Sequence, residues 1–455
     1  MENMTLLNIA NACGGRYIGD ETLKDETITM ATIDSRQIEK DGLFIAVKGE
    51  KTDGHNYIND VYQKGALCVI SEKELDTDKP YILVESSLMA LKDIAEFYRE
   101  NLQITVIGIT GSVGKTSTKE MVASVLETKY KVLKTEGNFN NEIGLPLTIL
   151  KIRKEHEVAV VEMGISDFGE MHRLSKIAKP DVCILTNIGT CHLENLIDRD
   201  GVLKAKTEIF DYSCENGYIV LNGDDDKLIT IKDVNGIKPV YVGFSKENTI
   251  YANNLKDEGL VGTEFDIVDG KYSIKARVNI PGVHMVNNAL TAYAVGKILE
   301  LSDEEIVKGI AALKPVGGRN NIITTKYLTI IDDCYNANPV SMKASIDVLD
   351  KATTRKVAIL GDMFELGENE SLLHYEVGKY LATKQIDLLI TAGTLAKNIA
   401  KAVKENLKID VLMYDTRDEL LEDLSKHLKA NDTVLIKASH GMHFDKIVEE
   451  LKCYQ

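Results

Sequence analysis

No stretch of this chain approaches the run of about 18 apolar residues that a membrane-spanning helix needs, so insertion into a bilayer is not expected. The first residues, Met1-Glu-Asn-Met-Thr-Leu-Leu, carry neither a basic region nor a long apolar segment, and export is not expected either. No two cysteines stand in C-x-x-C spacing. The seven that occur are an odd number scattered from Cys13 to Cys453, which argues against a disulfide framework and against a zinc knuckle. That usage fits a reducing cytoplasm. There is no basic excess: 54 Lys and Arg face 70 Asp and Glu, a net charge of −16, and no basic stripe offers itself to nucleic acid. An anionic ligand must then be held by local devices such as helix N-termini, a few Lys or Arg and metal ions, because the overall field repels it. Internal repeats and low-complexity tracts are also absent.

What is present is the composition of a globular protein, 44% hydrophobic and 27% charged, in 455 residues, enough for about three domains at roughly 150 residues each. The first 100 or so residues hold short strand-like runs at 27–32, 43–47, 67–70 and 81–84, and an amphipathic helix at 87–100 closes them. From residue 104 strands and helices alternate, with apolar runs at 104–110, 158–163, 182–188 and 218–221 that read as strands covered on both faces. A Pro-Gly break at 279–284 precedes a helix near 287–299, and Pro with paired Gly at 314–319 marks a boundary. Beyond it, strands at 328–332, 356–361, 387–392 and 433–437 with helices between them predict a second doubly wound α/β unit.

The densest chemistry lies at 104–118, Ile-Thr-Val-Ile-Gly-Ile-Thr-Gly-Ser-Val-Gly-Lys-Thr-Ser-Thr. A β-branched run enters a glycine loop, and a helical pattern follows through Met121, Val122, Val125 and Leu126. Gly111 and Gly114 permit a tight turn whose N–H groups, from Thr110 through Ser112 and Val113 to Ser117, can face phosphate oxygens at a helix N-terminus. Lys115 can reach the outer phosphates, and the Thr116 hydroxyl can ligate magnesium. Position 109 is Ile, so the motif is the shorter T-G-x-x-G-K-T rather than the eight-residue form. Glu162 ends a strand at the carboxyl edge of a parallel sheet, a good place for a magnesium ligand; a plain strand-end acid is the bland alternative. His192 follows another strand, and Lys206 lies in a helical stretch at 202–210; taken alone, either residue reads as structural or solvated.

Thr110-Gly-x-x-Gly-Lys-Thr, Gly137-Asn-Phe-Asn-Asn-Glu-Ile-Gly-Leu-Pro146, Glu162-Met-Gly, His192-Leu-Glu and Ala205-Lys206-x-x-Ile-Phe occur in the order seen in the ATP-dependent Mur ligases of peptidoglycan synthesis, and the chain resembles that family over essentially its whole length. Asp332-Asp-Cys-Tyr-Asn-Ala-Asn-Pro339 and Leu360-Gly-Asp-Met-Phe-Glu-Leu-Gly367 are similar to the branch that joins D-alanyl-D-alanine to UDP-N-acetylmuramoyl-tripeptide; the Asp-Asn-Pro-Arg motif of the diaminopimelate-adding branch is absent. The resemblance implies a three-domain α/β fold: a small UDP-muramoyl-peptide-binding domain at 1–102, a central P-loop ATPase domain with a mostly parallel sheet at 103–314, and a Rossmann-like domain at 315–455. It implies a cytoplasmic, monomeric enzyme using ATP and Mg²⁺, with the metal near Thr116, Glu162, His192 and Lys206, the last matching a lysine that is carbamylated in many members. Lys115, Glu162, His192 and Lys206 would carry the catalysis. Asn138, Asn140 and Asn141 would contact phosphate and acceptor groups, Arg319 the γ-phosphate and Asp333 the ribose. Ser35, Arg36, Asp53 and His55 would hold the UDP-sugar, and Tyr335, Asn336 and Asn338 would lie near the acceptor dipeptide.

Three positions depart from the pattern. The adenine block His-Asn-x-x-Asn reads His284-Met-Val-Asn-Asn288, so Asn288 remains but Met285, a thioether, replaces a carboxamide. Cys334 stands where Ser or Ala is usual and is expected to be a small buried residue, not a nucleophile. His440 stands where a Lys-Gly-Ser-Arg block has Arg. The acceptor of the amine proton is open, with His374 and carboxylates as candidates. Rival readings are a sister ligase adding one amino acid or glutamate, a P-loop GTPase-type switch (the Asn-Lys-x-Asp guanine signature is missing), and an inactive binding protein.

Overall fold

A computed structural model describes residues 1–49 and 52–454. The chain falls into two compact units, one of Met1–Thr110, Tyr130–Ile184 and Lys206–Ile219, the other of Gly111–Lys129, Leu185–Ala205 and Val220–Gln455.

In the first unit a five-stranded sheet runs in the order Arg16–Ile18, Tyr81–Leu83, Cys68–Ser71, Leu43–Ile45, Ala31–Thr32, antiparallel only at its first pair. Of the run read at 27–32, only the last two residues join this sheet. Ile28 N–H donates to Met4 O and Thr29 N–H to Asp41 O, so the start of the run pairs elsewhere. Phe44, Val69 and Tyr81 pack with Ile38, Ile58 and Val61 into the core beneath the sheet. Helix Ser87–Glu100 has the bounds its amphipathic spacing predicts, because Ser86 accepts from Met89 N–H as its N-cap. Three parallel strands follow in spatial order Val132–Lys134, Val158–Glu162, Thr105–Thr110. Their register sets Ile109 beside Glu162, so the carboxylate closes its strand one residue short of the level at which the glycine loop begins.

In the second unit, Val220 pairs with Val240 and Val242 with Ile250 in parallel, after which Ile250–Asp257, Thr263–Asp269 and Tyr272–Val278 form an antiparallel meander. Helices Lys115–Leu126, His284–Ile298 and Asp303–Ala312 pack together; a Cβ on Gly309 would come within 2.4 Å of Val125 Cα, so this glycine sets how closely two of them approach. The run read as a strand over 182–188 stops at Leu185, because Thr186 and Asn187 spend their polar groups on the glycine loop. The helix read near 287–299 starts earlier, at His284, directly after the Pro-Gly turn.

The last sheet runs Asn321–Thr324, Leu328–Asp332, Asp432–Lys437, Lys356–Gly361, Leu388–Ala392, Asp410–Tyr414, parallel except for the first pair. Its strand residues alternate between two apolar clusters, with Ile330, Ile359 and Val434 in one and Ile331, Ala358 and Leu435 in the other, as a sheet covered on both faces requires.

Candidate active site

The glycine loop is shaped by two different uses of glycine. Gly114 takes φ +83° at the N-cap of Lys115–Leu126, a left-handed conformation that side chains resist. Gly111 is needed for space as well, since a Cβ there would stand 1.9 Å from Thr186 Oγ1. Lys115 Nζ donates to Gly111 O at 2.8 Å, bending back over its own loop. The amides of Ser112 and Val113, read from sequence as phosphate donors, donate instead to Asn187 O and Asn187 Oδ1, both at 3.0 Å. Thr116 is buried, and Ser117 and the next turn continue the helix. Thr110 is fully buried, and its hydroxyl has no partner among the described residues.

On the first unit, Glu162 is 2% exposed. Its Oε1 accepts from Asn140 Nδ2 at 2.8 Å, and its backbone N–H donates to Thr135 Oγ1 at 2.9 Å, so the carboxylate is held in one orientation. Asn140 O accepts in turn from Gly164 N–H at 2.8 Å. Asn141 turns its Oδ1 to Ile143 N–H and Gly144 N–H, just before and at the start of the buried helix Gly144–Leu150, while Asn138 is exposed. Lys206 sits in helix Arg199–Thr207 and is 1% exposed, an unusual address for a lysine. Among the described residues no three His, Cys, Asp or Glu side chains gather as a metal cage. A magnesium site needs none, since one or two carboxylates with hydroxyls and phosphate oxygens suffice, and the buried Glu162 carboxylate is a hard oxygen donor of that kind.

Near the N-terminus Asp34 accepts from Arg36 Nε at 2.9 Å and Nη2 at 2.8 Å, and this guanidinium holds the Asp34 carboxyl down to about 2. Arg36 is therefore a preset fork, with most of its surface open to solvent. Ser35 O accepts from Lys64 Nζ at 2.7 Å. Asp53 accepts from His55 N–H at 3.0 Å and His55 Nδ1 at 2.6 Å, while His55 Nε2 accepts from Glu72 N–H at 3.0 Å. The Asp53-Gly-His55 block is thus a closed turn, and the His55 ring has both nitrogens committed within it.

The second unit gathers the remaining candidates. His192, at φ +52°, opens the short helix Leu193–Leu196 and places Nδ1 2.9 Å from Glu365 Oε2, a partner that no sequence signal pointed to. Thr118 Oγ1 donates to Asn288 Oδ1 at 3.0 Å, and Asn288 Nδ2 points at Met285 Sδ at 3.4 Å. The thioether that breaks the adenine pattern is therefore an acceptor for the carboxamide that remains. Met285 also lines a cleft with Ser117, Glu120, Lys314, Arg319 and Asn320. The Arg319 guanidinium lies 4.1 Å over the Tyr335 ring, and His440 lies 5.5 Å from Tyr335 on centroids.

Asp333 is engaged on both oxygens: Oδ1 accepts from Asn320 N–H at 3.0 Å, and Oδ2 from Lys437 Nζ at 2.6 Å and from the Ser345 hydroxyl. Lys437 also donates to Asn336 O at 3.0 Å, which ties the loop after Leu328–Asp332 to the end of Asp432–Lys437. Asn338 spends its side chain as the N-cap of Pro339–Asp350, in a capping box with Ser341. Asn336 Oδ1 accepts from Ala337 N–H at 2.9 Å. Cys334 is buried, as expected, and burial with Asp332 beside it pushes its thiol far up, away from nucleophile chemistry.

His374 is corrected as a proton acceptor. It is fully buried, its Nδ1 donates to Glu370 O at 2.7 Å and its Nε2 accepts from Met363 N–H at 2.8 Å, so the ring is neutral and closed to substrate. Burial lowers its pKa. The unfolded chain, with His near its ordinary value of about 6.5, then binds the extra proton first as pH falls. The stability due to His374 is fully present above that value and is lost as pH drops below it toward the folded pKa. Urea unfolding of wild type and His374→Gln at about pH 7.5 and about pH 5.5 is expected to show a smaller acid-induced drop in the variant; equal drops would contradict it.

A phosphate loop on a parallel α/β sheet, an oriented strand-end carboxylate and a second Rossmann-like sheet define an α/β nucleotide-dependent enzyme. Family profiles assign it further: the Mur ligase middle domain matches residues 109–296, the Mur ligase glutamate ligase domain 318–440 and the Mur ligase family catalytic domain 27–111. The chain belongs to the Mur ligase family, with its three α/β domains and mixed, mostly parallel sheets. It is 36% identical to the UDP-N-acetylmuramoyl-tripeptide–D-alanyl-D-alanine ligase of Bacillus subtilis, covering 99% of both chains, and 32% identical to that of Escherichia coli, also covering 99% of both. Among solved structures it is similar to MurF from Acinetobacter baumannii, with a TM-score of 0.89 at 31% identity over 99% of this chain and 98% of the other. It is likewise similar to MurF from Thermotoga maritima in complex with ADP, with a TM-score of 0.82 at 31% identity over 93% and 97%.

Proposed function

We propose that this chain is an ATP-dependent amide ligase that joins D-alanyl-D-alanine to UDP-N-acetylmuramoyl-tripeptide, giving the pentapeptide precursor of peptidoglycan. The observation that carries the reading is full-length likeness, at 31–36% identity, to ligases named for that reaction, with the phosphate loop intact. A carboxylate does not condense with an amine in water unaided. ATP phosphorylates the terminal carboxylate of the tripeptide, the dipeptide amine attacks the acyl phosphate, and collapse of the tetrahedral intermediate releases phosphate. Catalysis of such a transfer is mostly positioning and charge neutralisation. Lys115 leaves Gly111 O for the outer phosphates, and the helix N-terminus at Lys115 supplies amide donors. Glu162, fixed by Asn140, and Thr116 would hold Mg²⁺, with His192 and a carbamylated Lys206 completing the set. The metal supplies neutralisation of phosphate charge when bound.

Arg36 and Ser35, beside the Asp53–His55 turn, would receive the UDP-sugar, and Tyr335 with Asn336 and Asn338 would lie toward the dipeptide. Asn288, with Met285, would face the base, Asp333 the ribose and Arg319 the γ-phosphate. We take 1–102, 103–314 and 315–455 as the domains of a cytoplasmic monomer. Among the described residues no helix is long and apolar enough to cross a membrane. Phosphate release with UDP-tripeptide is expected to require D-alanyl-D-alanine and to yield a product heavier by one dipeptide. Equal turnover with a single amino acid would reassign the chain to a sister branch, and hydrolysis indifferent to any acceptor would overturn the reading.

Stacking on Tyr335 fixes the Arg319 guanidinium plane at little entropic cost. Tyr335→Ala is therefore expected to raise the ATP KM about 3- to 10-fold, from roughly 1 kcal/mol of lost cation–π attraction, whereas Tyr335→Phe keeps the ring and the wild-type KM. Equal KM values for all three proteins would remove this role.

A further inference from the structure

We infer that Asn187 is a positioning residue for ATP, holding the phosphate loop in the shape that receives the triphosphate; the inference rests on the ATP-dependent reading above. Its carboxamide meets the Val113 peptide from both sides, accepting from Val113 N–H at 3.0 Å and donating from Nδ2 to Val113 O at 2.9 Å. Its own carbonyl accepts from Ser112 N–H at 3.0 Å. A side chain 74 residues downstream thus acts on the loop as a neighbouring strand would.

The flanking residues extend the same clamp. Thr186 Oγ1 donates to Val113 O at 2.6 Å, which occupies both lone pairs of that carbonyl. Gly189 N–H donates to Ser112 Oγ at 2.8 Å. Gly111 lets the segment lie directly on the loop, where a Cβ would collide with Thr186 at 1.9 Å. None of these bonds belongs to a helix or a strand ladder, so their physical effect falls on the loop itself.

That effect matters because a phosphate loop works through backbone amides, and an amide set before the ligand arrives costs no ordering at binding. With the Ser112 and Val113 amides spent on Asn187, the triphosphate is received from Gly114 onward, at the start of the 12-residue helix Lys115–Leu126. Only a carboxamide of this length supplies donor and acceptor together. Aspartate lacks the donor and adds charge, and alanine lacks both.

The test compares the full-length wild-type chain with Asn187→Ala, Asn187→Asp and Thr186→Val. The ATP KM is measured in the ligation assay, ADP affinity by calorimetry, and the melting temperature without ligand. Two lost backbone bonds predict a rise of about 30-fold in ATP KM and ADP Kd for Asn187→Ala. The KM values for UDP-tripeptide and dipeptide are expected to stay within about twofold. Asn187→Asp is expected to be worse than alanine, with the gap closing in high salt as its charge is screened. Thr186→Val, which loses one bond, is expected to rise about fivefold and stands as the decisive variant if Asn187→Ala does not fold. Unchanged ATP KM and ADP Kd would overturn the inference. So would parallel rises in all three KM values together with a lowered melting temperature, which mark a merely structural role. A wild-type chain that binds ADP but does not ligate would refute the functional reading and leave the calorimetric comparison to decide on Asn187.

Discussion

Lys115→Ala abolishes ligation while UDP-tripeptide binding survives: this is the largest effect expected of a single side chain. Removing one preorganised group that stabilises transition-state charge costs typically about 10²- to 10³-fold, and Lys115 is the cation that the phosphate loop itself carries. A second loss adds to this, because Lys115 Nζ also bonds Gly111 O at 2.8 Å and the alanine loop loses that closure. The expected fall in kcat/KM for ATP is therefore at least about a thousandfold. Arg36 and the Asp53–His55 turn make their bonds within residues 34–73, so calorimetry with the UDP-peptide should return the wild-type affinity. Wild-type turnover by the alanine enzyme would sink the phosphate-loop assignment. Loss of UDP-peptide binding along with activity would point to misfolding instead.

Lys206→Ala should be nearly as damaging, and for a different reason. At 1% exposure Lys206 is shut away from bulk solvent, an unusual place for a lysine. A neutral amine adds CO₂ and becomes a carbamate, whose oxygens suit magnesium where an amine does not. The alanine variant is expected to lose about 10²-fold or more in kcat, comparable to removing a preorganised electrostatic group, and a short added carboxylate such as acetate or formate should restore part of it. Wild-type enzyme stripped of dissolved CO₂ should lose activity and regain it with bicarbonate. Undiminished activity in Lys206→Ala would remove the carbamate idea. Loss with no response to carboxylate or bicarbonate would leave Lys206 as a buried structural cation.

The sequence spoke most plainly where structure is local. The strand, glycine loop and helix from 104 to 126 are contiguous, and their residue types are dictated by backbone geometry, so they were legible without any partner. Strands Leu328–Asp332 and Lys356–Gly361 have the bounds read from their apolar runs, because both faces are covered and every residue carries the signal. The meander from Ile250 to Val278 went unread. Ile250–Asp257 is buried at alternate positions only at its start and exposed at its end, so charged residues hide its periodicity. Val132–Lys134 is too short to show a period, and Asp410–Tyr414 is a half-exposed edge.

At the site, residue types were legible and their partners were not. The Asp53-Gly-His55 spacing signalled a unit, yet what it builds is a turn that consumes its own imidazole. Asn141 and Asn338 drew attention as amides near substrate; in the structure Asn338 is a helix N-cap and Asn141 accepts from the amides of Ile143 and Gly144. Asn187 lay within the run read as a strand over 182–188 and drew no attention of its own, because its importance depends on a loop 74 residues away.

The division of the chain into three separated segments per unit has a consequence for how the protein is made. Strand Thr105–Thr110 finds its neighbour Val158–Glu162 only after an excursion, Gly111–Lys129, that belongs to the other unit. The first unit is not complete until residue 219 has left the ribosome. At about 5–20 residues per second, the stretch from Thr110 to the end of that neighbour at Glu162 takes roughly 3–10 s to synthesise. During that time Val106, Ile107 and Ile109, all fully buried at the end, have no partner strand. Nascent chains of this protein are therefore expected to be most exposed to holdase chaperones over that interval, and the five-stranded N-terminal sheet, contained within the first 83 residues, is the part able to fold before it.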